Sequence, residues 1–140
     1  MTHQINFTFQ ESDWTTPSQY PNLKDAEVIA IDLETKDPDI KTKGPGWPSM
    51  NGNIIGISVA TDSFKGYYPI SHEAGSNMDA KMVLNWVQDV CRAPGVKVFH
   101  NAAYDIGWLR AHGIIVYGKV ADTMIAAALI DENRRNYSLN

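Results

Sequence analysis

The chain has 140 residues, of which 44% are hydrophobic, and its formal net charge is −4. This length suits one domain with a sizeable core, because a single domain typically takes about 100 to 200 residues. The charge argues against a protein that coats nucleic acid through a broad basic surface, since such binding needs many Lys and Arg contacts to phosphates. It does not exclude an enzyme with an acidic cleft, because bound divalent cations then neutralise the phosphate.

The N-terminus, the apolar runs and the cysteine content indicate the compartment. Residues 1–10 contain no apolar run and one basic-capable residue, His3, which predicts neither a secretory signal nor a transit peptide. No stretch reaches the roughly 18 to 20 apolar residues that a membrane span needs. Cys91 is the only cysteine, so an internal disulfide and a cysteine-based zinc cluster are excluded. We therefore expect a cytoplasmic protein with no membrane partner.

The N-terminal part of the chain predicts a lead-in followed by a central strand. Residues 1–26 are mostly polar and are interrupted by prolines, which is typical of an extended segment ahead of a domain at 27–140. Residues 27–33 (EVIAIDL) are short, rich in Val and Ile, and apolar on both faces. This pattern predicts a strand in the centre of a sheet.

A long loop and a hairpin are predicted next. Residues 36–53 concentrate three Pro and three Gly around Trp47, and long ordered loops of this kind are often functional. Residues 53–60 and 66–70 have strand-like composition and are joined by the turn TDSF. They predict an antiparallel hairpin.

The second half of the chain alternates helices and strands. In chain order it predicts a helix at 78–92 capped by Ser76, a strand at 96–99, a helix begun by Asn101 and ended by Gly113, a strand at 114–116, and a helix at 122–130 capped by Asp122. The first of these is the clearest, because its apolar residues recur at helical spacing. The whole pattern predicts an α/β fold with a sheet flanked by helices.

Two carboxylates lie close together at the end of the central strand. In IAIDLET, Asp32 and Glu34 are two residues apart, so both side chains leave the same face of an extended strand. Like charges at this spacing are costly unless a cation or a proton offsets the repulsion, and hard oxygen ligands suit Mg²⁺ or Mn²⁺. A solvated strand end, or an Asp that caps a helix, is the structural alternative.

A second candidate group lies at the start of the helix that follows residues 96–99. Asn101 and Asp105 are spaced i, i+4 and share one helix face. A carboxylate near a helix N-terminus is favoured by the helix dipole, and so is a bound phosphate. The structural alternative is that Asn101 is only an N-cap and Asp105 only a surface residue.

Together, IAIDLET and FHNAAYDIGWL resemble the first two exonuclease motifs of the DEDD nucleases, specifically the proofreading domain of family A (Pol I-like) DNA polymerases. The resemblance extends from about Pro21 through the loop containing GPG and the strand GNIIGISVA to VADTMIAAALIDENRRNYSLN. The GPG loop and the sequence HNAAYD most resemble those of phage polymerases. It implies a ribonuclease H-like, mixed five-stranded sheet in which the strand with Asp32 and Glu34 lies beside the helix with Asp105.

The resemblance implies a two-metal 3′-5′ exonuclease. In that family one Mg²⁺ or Mn²⁺ ion is held by the positions that match Asp32 and Glu34, and another by Asp32, with Asp105 acting largely through water. One ion generates a hydroxide-like nucleophile and the other stabilises the leaving 3′ oxygen. The resemblance also implies substrate-binding roles for Leu33, Thr35, Asn101 and Tyr104.

A frayed 3′ end would stack on apolar or aromatic side chains, for which Leu33, Trp47 and Tyr104 are candidates. Tyr104 equally fits a core position at helical spacing, and Trp47 equally fits a role in fixing its own loop. The histidines match no zinc spacing, so His72 is expected to be an ordinary loop residue and His100 a hydrogen-bonded spacer between strand and helix.

The implied partners are the single-stranded 3′ end of DNA and a downstream polymerase domain, in the host cell cytoplasm if a phage encodes the protein. The family also has a third motif, Tyr-x-x-x-Asp or His-x-x-x-Asp, beyond the end of this chain. We therefore expect a domain that is C-terminally truncated and weakly active or inactive alone. Two alternatives stay open, an RNA-trimming DEDD exoribonuclease and a non-catalytic ribonuclease H-like binding module.

Overall fold

The computed structural model describes residues 14–139, which form a mixed five-stranded sheet with helices packed against it. The strands are β1 Val28–Lys36, β2 Asn53–Ala60, β3 Lys65–Pro69, β4 Val96–Phe99 and β5 Val120–Asp122. The helices are α1 Ile40–Lys43, α2 Ala80–Arg92, α3 Ala102–Ala111 and α4 Thr123–Ile130. The strand order is β3-β2-β1-β4-β5, with β1 antiparallel to β2 and parallel to β4. The predicted mixed sheet is confirmed.

The hydrophobic core lies on one face of the sheet. Along β1, Ile29, Ile31 and Leu33 are buried, while the residues between them are exposed. Helices α2 and α3 bury apolar side chains in the same core, including Val87 and Trp108. A side chain of this kind contributes about 1.5 to 3 kcal/mol when it is fully buried. The prediction of a central strand is confirmed, although only one face of β1 is buried and the other carries the acidic residues.

The described part of the predicted lead-in, residues 14–26, packs against this core without regular secondary structure. The indole N–H of Trp86 donates to the carbonyl oxygen of Pro21 at 2.8 Å, and the Tyr68 hydroxyl donates to that of Gln19 at 2.8 Å. Tyr and Trp need a hydrogen-bond partner when they are buried, and this segment supplies it. The rest of the predicted lead-in lies outside the described residues.

The start of α2 differs from the prediction. The helix begins at Ala80, and its N-cap is Asp79, whose carboxylate accepts a hydrogen bond from the Met82 N–H at 2.8 Å. Ser76, the predicted cap, lies in the preceding loop with φ of 59°. A carboxylate at the N-cap satisfies an amide that the helix leaves free and is favoured by the helix dipole.

The fifth strand lies at β5 rather than at the predicted residues 114–116. The backbone N–H of Ile114 donates to the Leu109 carbonyl oxygen in α3, and that of Tyr117, just after the stretch, donates to the Cys91 carbonyl oxygen in α2. These two groups are therefore not available to the sheet. Gly118, with φ of 78°, turns the chain before β5 begins. The side chain of Ile114 is buried in the core, whereas that of Ile115 is exposed.

The long loop after β1 is ordered and contains α1 and a 3₁₀ turn at Trp47–Ser49. The Trp47 indole packs on Gly107 of α3, where an added Cβ would lie 2.5 Å from the ring. Trp47 therefore fixes its own loop to α3, as in the structural alternative.

The hairpin of β2 and β3 and the helix capped by Asp122 are found as predicted. No helix in the described part of the chain has the length and apolar character of a membrane span.

Candidate active site

The candidate site forms where β1 extends past its parallel partner. Strand β4 pairs with β1 only as far as Ala30, which lies opposite Val98. Beyond this pair the backbone of β1 has no strand on that side, and a buried N–H there needs another acceptor. The Leu33 N–H donates to Oδ1 of Asp105 at 3.1 Å. This bond joins the end of β1 to the first turn of α3.

Asp32 and Glu34 leave β1 on the face that points away from the core. Asp32 lies opposite Ser58 of β2, and Glu34 lies opposite Gly56. Burial raises the pKa of Asp32 above its ordinary value, and the nearby charge of His100 lowers it in part. The two carboxylates therefore share a face of the sheet, as the spacing predicts.

Asp105 is almost completely buried, with 3% of its surface exposed. Burial and the negative charge of Asp32 raise its pKa to about 7, while the hydrogen bond from Leu33 opposes this increase. Asp32 and Asp105 are therefore electrostatically coupled, although one lies on a strand and the other on a helix. A carboxyl group in this state exchanges its proton near neutral pH, and a bound cation would favour its ionised form.

The side chain of Asn101 does not cap α3, so this prediction was wrong. Asn101 is at the N-cap with φ of 65° and makes no side-chain cap hydrogen bond. The Asp122 carboxylate accepts hydrogen bonds instead from the N–H groups of Asn101 at 3.0 Å and Ala102 at 2.8 Å, and from those of Met124 at 2.9 Å and Ile125 at 3.4 Å. Burial alone would raise the pKa of Asp122, but these donors lower it. One carboxylate thus holds the N-termini of α3 and α4 together.

The residues predicted to bind substrate fall in different environments. The hydroxyl groups of Thr35 and Tyr104 are hydrogen-bonded at 2.7 Å, and that of Tyr104 also donates to Oδ2 of Asp37 at 3.0 Å. Asn101 is exposed at the start of α3. Leu33 is only 7% exposed and its side chain belongs to the core, so the structure does not bring this side chain to the acidic face.

A cavity of about 860 Å³ lies over the exposed face of the sheet. Its lining includes Trp14, Asp32, Ser58, Tyr67, His100 and Thr123. An apolar cavity with a few polar groups is the usual form of a binding site. The Nδ1 atom of His100 lies 2.9 Å from Oγ1 of Thr123, while its Nε2 atom is buried with no hydrogen-bond partner. His100 is thus part of this lining as well as a hydrogen-bonded spacer.

Tyr67, near Glu34, and its partner His72 were not predicted as site residues. The Tyr67 hydroxyl is hydrogen-bonded to Nε2 of His72. Burial and the negative charge of Glu34 raise the pKa of Tyr67. The two-residue period of β3 puts Tyr67 on the face opposite the buried Tyr68, and this alternation is the sequence signal that could have identified it.

The donor chemistry of the acidic face fits a divalent cation. Carboxylate oxygens suit Mg²⁺ and Mn²⁺, and a cation would offset the repulsion that raises the pKa of Asp105 beside Asp32. Within residues 14–139, no three His, Cys, Asp or Glu side chains are grouped as a ready-formed metal site. Asp32, Glu34 and Asp105 are the residues that would hold the ion, directly or through water.

The strand order, the mixed strand directions and the acidic residues on the central strand define a ribonuclease H-like exonuclease fold. The chain belongs to the 3′-5′ exonuclease family of DNA polymerase A, whose family model matches residues 18–140. A DNA-directed DNA polymerase of Pseudomonas phage M6 is 38% identical over 95% of this chain and 21% of its own length. DNA polymerase I of Borreliella burgdorferi is 30% identical over 81% of this chain and 12% of its own length.

Solved structures with a similar fold include nucleases. Brucella melitensis NrnC matches with a TM-score of 0.55 and 22% identity, covering 85% of this chain and 52% of its own. A structure of the same protein with bound Mg²⁺ matches with a TM-score of 0.53 and 20% identity, over 85% of this chain and 53% of its own. Trypanosoma brucei RNase D matches with a TM-score of 0.54 and 16% identity, covering 77% and 35%. At these identities the likeness concerns the fold.

Proposed function

We propose that this chain hydrolyses the terminal phosphodiester of a single-stranded 3′ end of DNA as the divalent-metal-dependent exonuclease segment of a DNA polymerase. The hydrogen bond from the Leu33 N–H, which brings the buried Asp105 beside the strand that carries Asp32 and Glu34, is the observation that carries the proposal. The membership in a polymerase exonuclease family and the Mg²⁺ bound to a protein of similar fold support it.

The residues of the chain have separable roles in this reaction. When bound, Mg²⁺ or Mn²⁺ would supply a hydroxide-like nucleophile and stabilise the leaving 3′ oxygen. Asp32 and Glu34 present oxygen ligands on one face. Asp105, oriented by the Leu33 N–H, holds a proton near neutral pH and releases it when a cation binds nearby. Trp14, which lines the cavity above this face, offers an aromatic surface on which a base can stack.

The polymerase partner is part of the proposal. The chain spans about a fifth of the length of the phage M6 polymerase. We propose that a polymerase domain of the same protein delivers the 3′ end to the cavity.

A metal titration on variants tests the proposed site. Mn²⁺ binding is measured by calorimetry, and degradation of a 3′-labelled single strand is followed in parallel. We expect Asp32→Ala to lose Mn²⁺ binding, whereas Asp62→Ala, at an exposed position in the hairpin turn, keeps it. Unchanged Mn²⁺ affinity in Asp32→Ala would overturn the proposed site.

An RNA-trimming nuclease is the second candidate function, since RNase D shares the fold. The same assay with labelled RNA separates the two functions, because degradation of RNA without degradation of DNA supports the second. Metal binding without degradation of either strand, in a chain extended through the third motif, would support a non-catalytic binding module instead.

A further inference from the structure

We infer that Tyr67 is a positioning residue for Glu34: its hydroxyl group, held by His72, lies against the Glu34 carboxylate and fixes the orientation of that carboxylate. The inference rests on the proposed function, in which Glu34 is a metal ligand. It adds a hydrogen-bonded pair from β3 and the following loop to a site otherwise built from β1 and α3.

The strand register places Tyr67 on the acidic face. Asp32 of β1 lies opposite Ser58 of β2, and Ser58 lies opposite Tyr67 of β3. Directly opposed residues of antiparallel strands point to the same side of a sheet. Tyr67 therefore leaves the sheet on the face that carries Asp32 and Glu34, while its neighbour Tyr68 is buried in the core.

The phenol ring of Tyr67 extends over Gly56 toward Glu34. An added Cβ on Gly56 would lie 2.0 Å from the Tyr67 hydroxyl oxygen and 2.4 Å from Cζ, so the ring occupies the space that a side chain would take. Gly56 is the residue directly opposite Glu34. The hydroxyl group thus reaches the position next to Glu34, which agrees with the effect of that carboxylate on the pKa of Tyr67. A phenol O–H in this position can donate a hydrogen bond to a carboxylate.

The loop after β3 holds His72 against this hydroxyl. The His72 N–H donates to Oδ1 of Asn77 at 2.7 Å, and Nδ2 of Asn77 donates back to the His72 carbonyl oxygen at 2.8 Å. The adjacent Glu73 accepts a hydrogen bond from Nζ of Lys36, at the end of β1, at 2.6 Å. That ion pair is exposed and contributes little stability, but it ties the loop to the strand that carries the acidic residues.

The pair can act as a short series of hydrogen bonds. When Nε2 of His72 carries a proton, the imidazole N–H donates to the phenol oxygen, and the phenol O–H is left to donate to Glu34. Groups that hydrogen-bond to metal ligands fix their orientation, and their loss typically costs about 10- to 100-fold in metal affinity.

Replacement of Tyr67 by Phe tests the inference, because it removes the hydroxyl and retains the ring. We expect Mn²⁺ affinity, measured by calorimetry, to fall about 10-fold without a matching loss of thermal stability. Tyr68→Phe is the matched control, since it removes the hydroxyl of the next residue on the opposite face of β3, where it bonds Gln19. Its Mn²⁺ affinity should equal that of the wild type.

Variants of His72 test the order of the series. His72→Ala should weaken Mn²⁺ binding, and His72→Gln should restore most of it because it retains an N–H donor. Tyr67→Phe combined with His72→Ala should bind no more weakly than Tyr67→Phe alone. Wild-type affinity in Tyr67→Phe, or additive losses in the double variant, would overturn the inference while the proposed function stands. Unchanged affinity in Asp32→Ala would overturn both.

Discussion

At the scale of single residues, the burial of Asp105 controls the pH response of the site. Its pKa is about 7, against an ordinary value of 3.8, chiefly because the group is buried and secondly because Asp32 is close. A carboxyl group with a raised folded-state pKa favours folding at acid pH, and this contribution is lost as the pH rises through the folded-state pKa. Asp105 therefore destabilises the metal-free protein at neutral and alkaline pH.

Asp105→Asn should consequently stabilise the metal-free protein at pH 8, by about 2 to 4 kcal/mol, because it removes a buried charge. The amide oxygen of Asn can still accept the Leu33 N–H. Urea unfolding at pH 5 and pH 8 checks this, with Asp89→Asn, on the surface of α2, as the control. An equal effect at both pH values would contradict the assigned pKa.

The proximity of Tyr67 to Glu34 can be measured without metal. Because the negative charge of Glu34 contributes to the raised pKa of Tyr67, Glu34→Gln should lower that pKa toward its ordinary value. NMR titration of ring-labelled tyrosine, with Tyr67→Phe to assign the signal, reports the change. Glu27→Gln, just before β1, is the control and should leave the pKa of Tyr67 unaltered. An unchanged Tyr67 pKa in Glu34→Gln would show that the Tyr67 hydroxyl does not lie near the Glu34 carboxylate.

At the scale of elements, the hydrogen bonds of Asp122 fix the helix that carries Asp105. The carboxylate binds the first amides of α3 and α4 and holds Asn101 in a left-handed conformation that few residues other than Gly adopt. Asp79 makes the same kind of cap on α2, where its carboxylate accepts a hydrogen bond from the Met82 N–H. A comparison of variants at Asp122 and Asp79 can therefore distinguish the effect of losing any helix cap from the effect of moving the helix that carries Asp105.

Asp122→Asn should cost about 1 to 2 kcal/mol of stability, because its amide NH₂ group cannot accept the N–H bond that the lost carboxylate oxygen accepted. It should also weaken Mn²⁺ binding, since the start of α3 shifts. Asp79→Asn serves as the control: a smaller loss of stability and unchanged Mn²⁺ affinity are expected. Equal Mn²⁺ affinity in both variants, measured under folding conditions, would show that Asp122 only caps helices.

At the scale of the whole molecule, the two faces of the sheet differ in what they contact. One face is covered by α2 and α3 and supplies the core, whereas the other carries the acidic residues and the cavity. Among the described residues α4 has no buried member, and it exposes Leu129 and Ile130. Packing on the first face fixes the strands that carry the acidic residues on the second. We therefore expect metal binding and folding to be coupled.

Mn²⁺ should raise the unfolding temperature of the wild type, because a ligand that binds only the folded state stabilises it by about 2.7 kcal/mol at 100 times its Kd. The shift should be larger at pH 8 than at pH 6, since below about 7 the ion competes with a proton on Asp105. Calorimetric scans with and without Mn²⁺, followed by EDTA, check this. A shift that is independent of pH would exclude Asp105 as a participant.

Local patterns in the sequence determined β1, the hairpin, α2 and the shared face of Asp32 and Glu34. These depend on the two-residue period of a strand and the 3.6-residue period of a helix, which are properties of short segments. The motif resemblance added Asp105, which no local pattern ties to β1.

Tertiary structure alone decided the remaining features. Asp122 replaced the Asn101 side chain as the partner of the α3 amides because a residue distant in sequence offered two carboxylate oxygens. Residues 114–116 stayed outside the sheet, and the backbone N–H groups of Ile114 and Tyr117 bind carbonyl oxygens at the ends of α3 and α2 instead. Tyr67 reached Glu34 only because Gly56, on the strand between them, has no side chain. In each case the partner lies far along the chain, and only folding brings the two residues together.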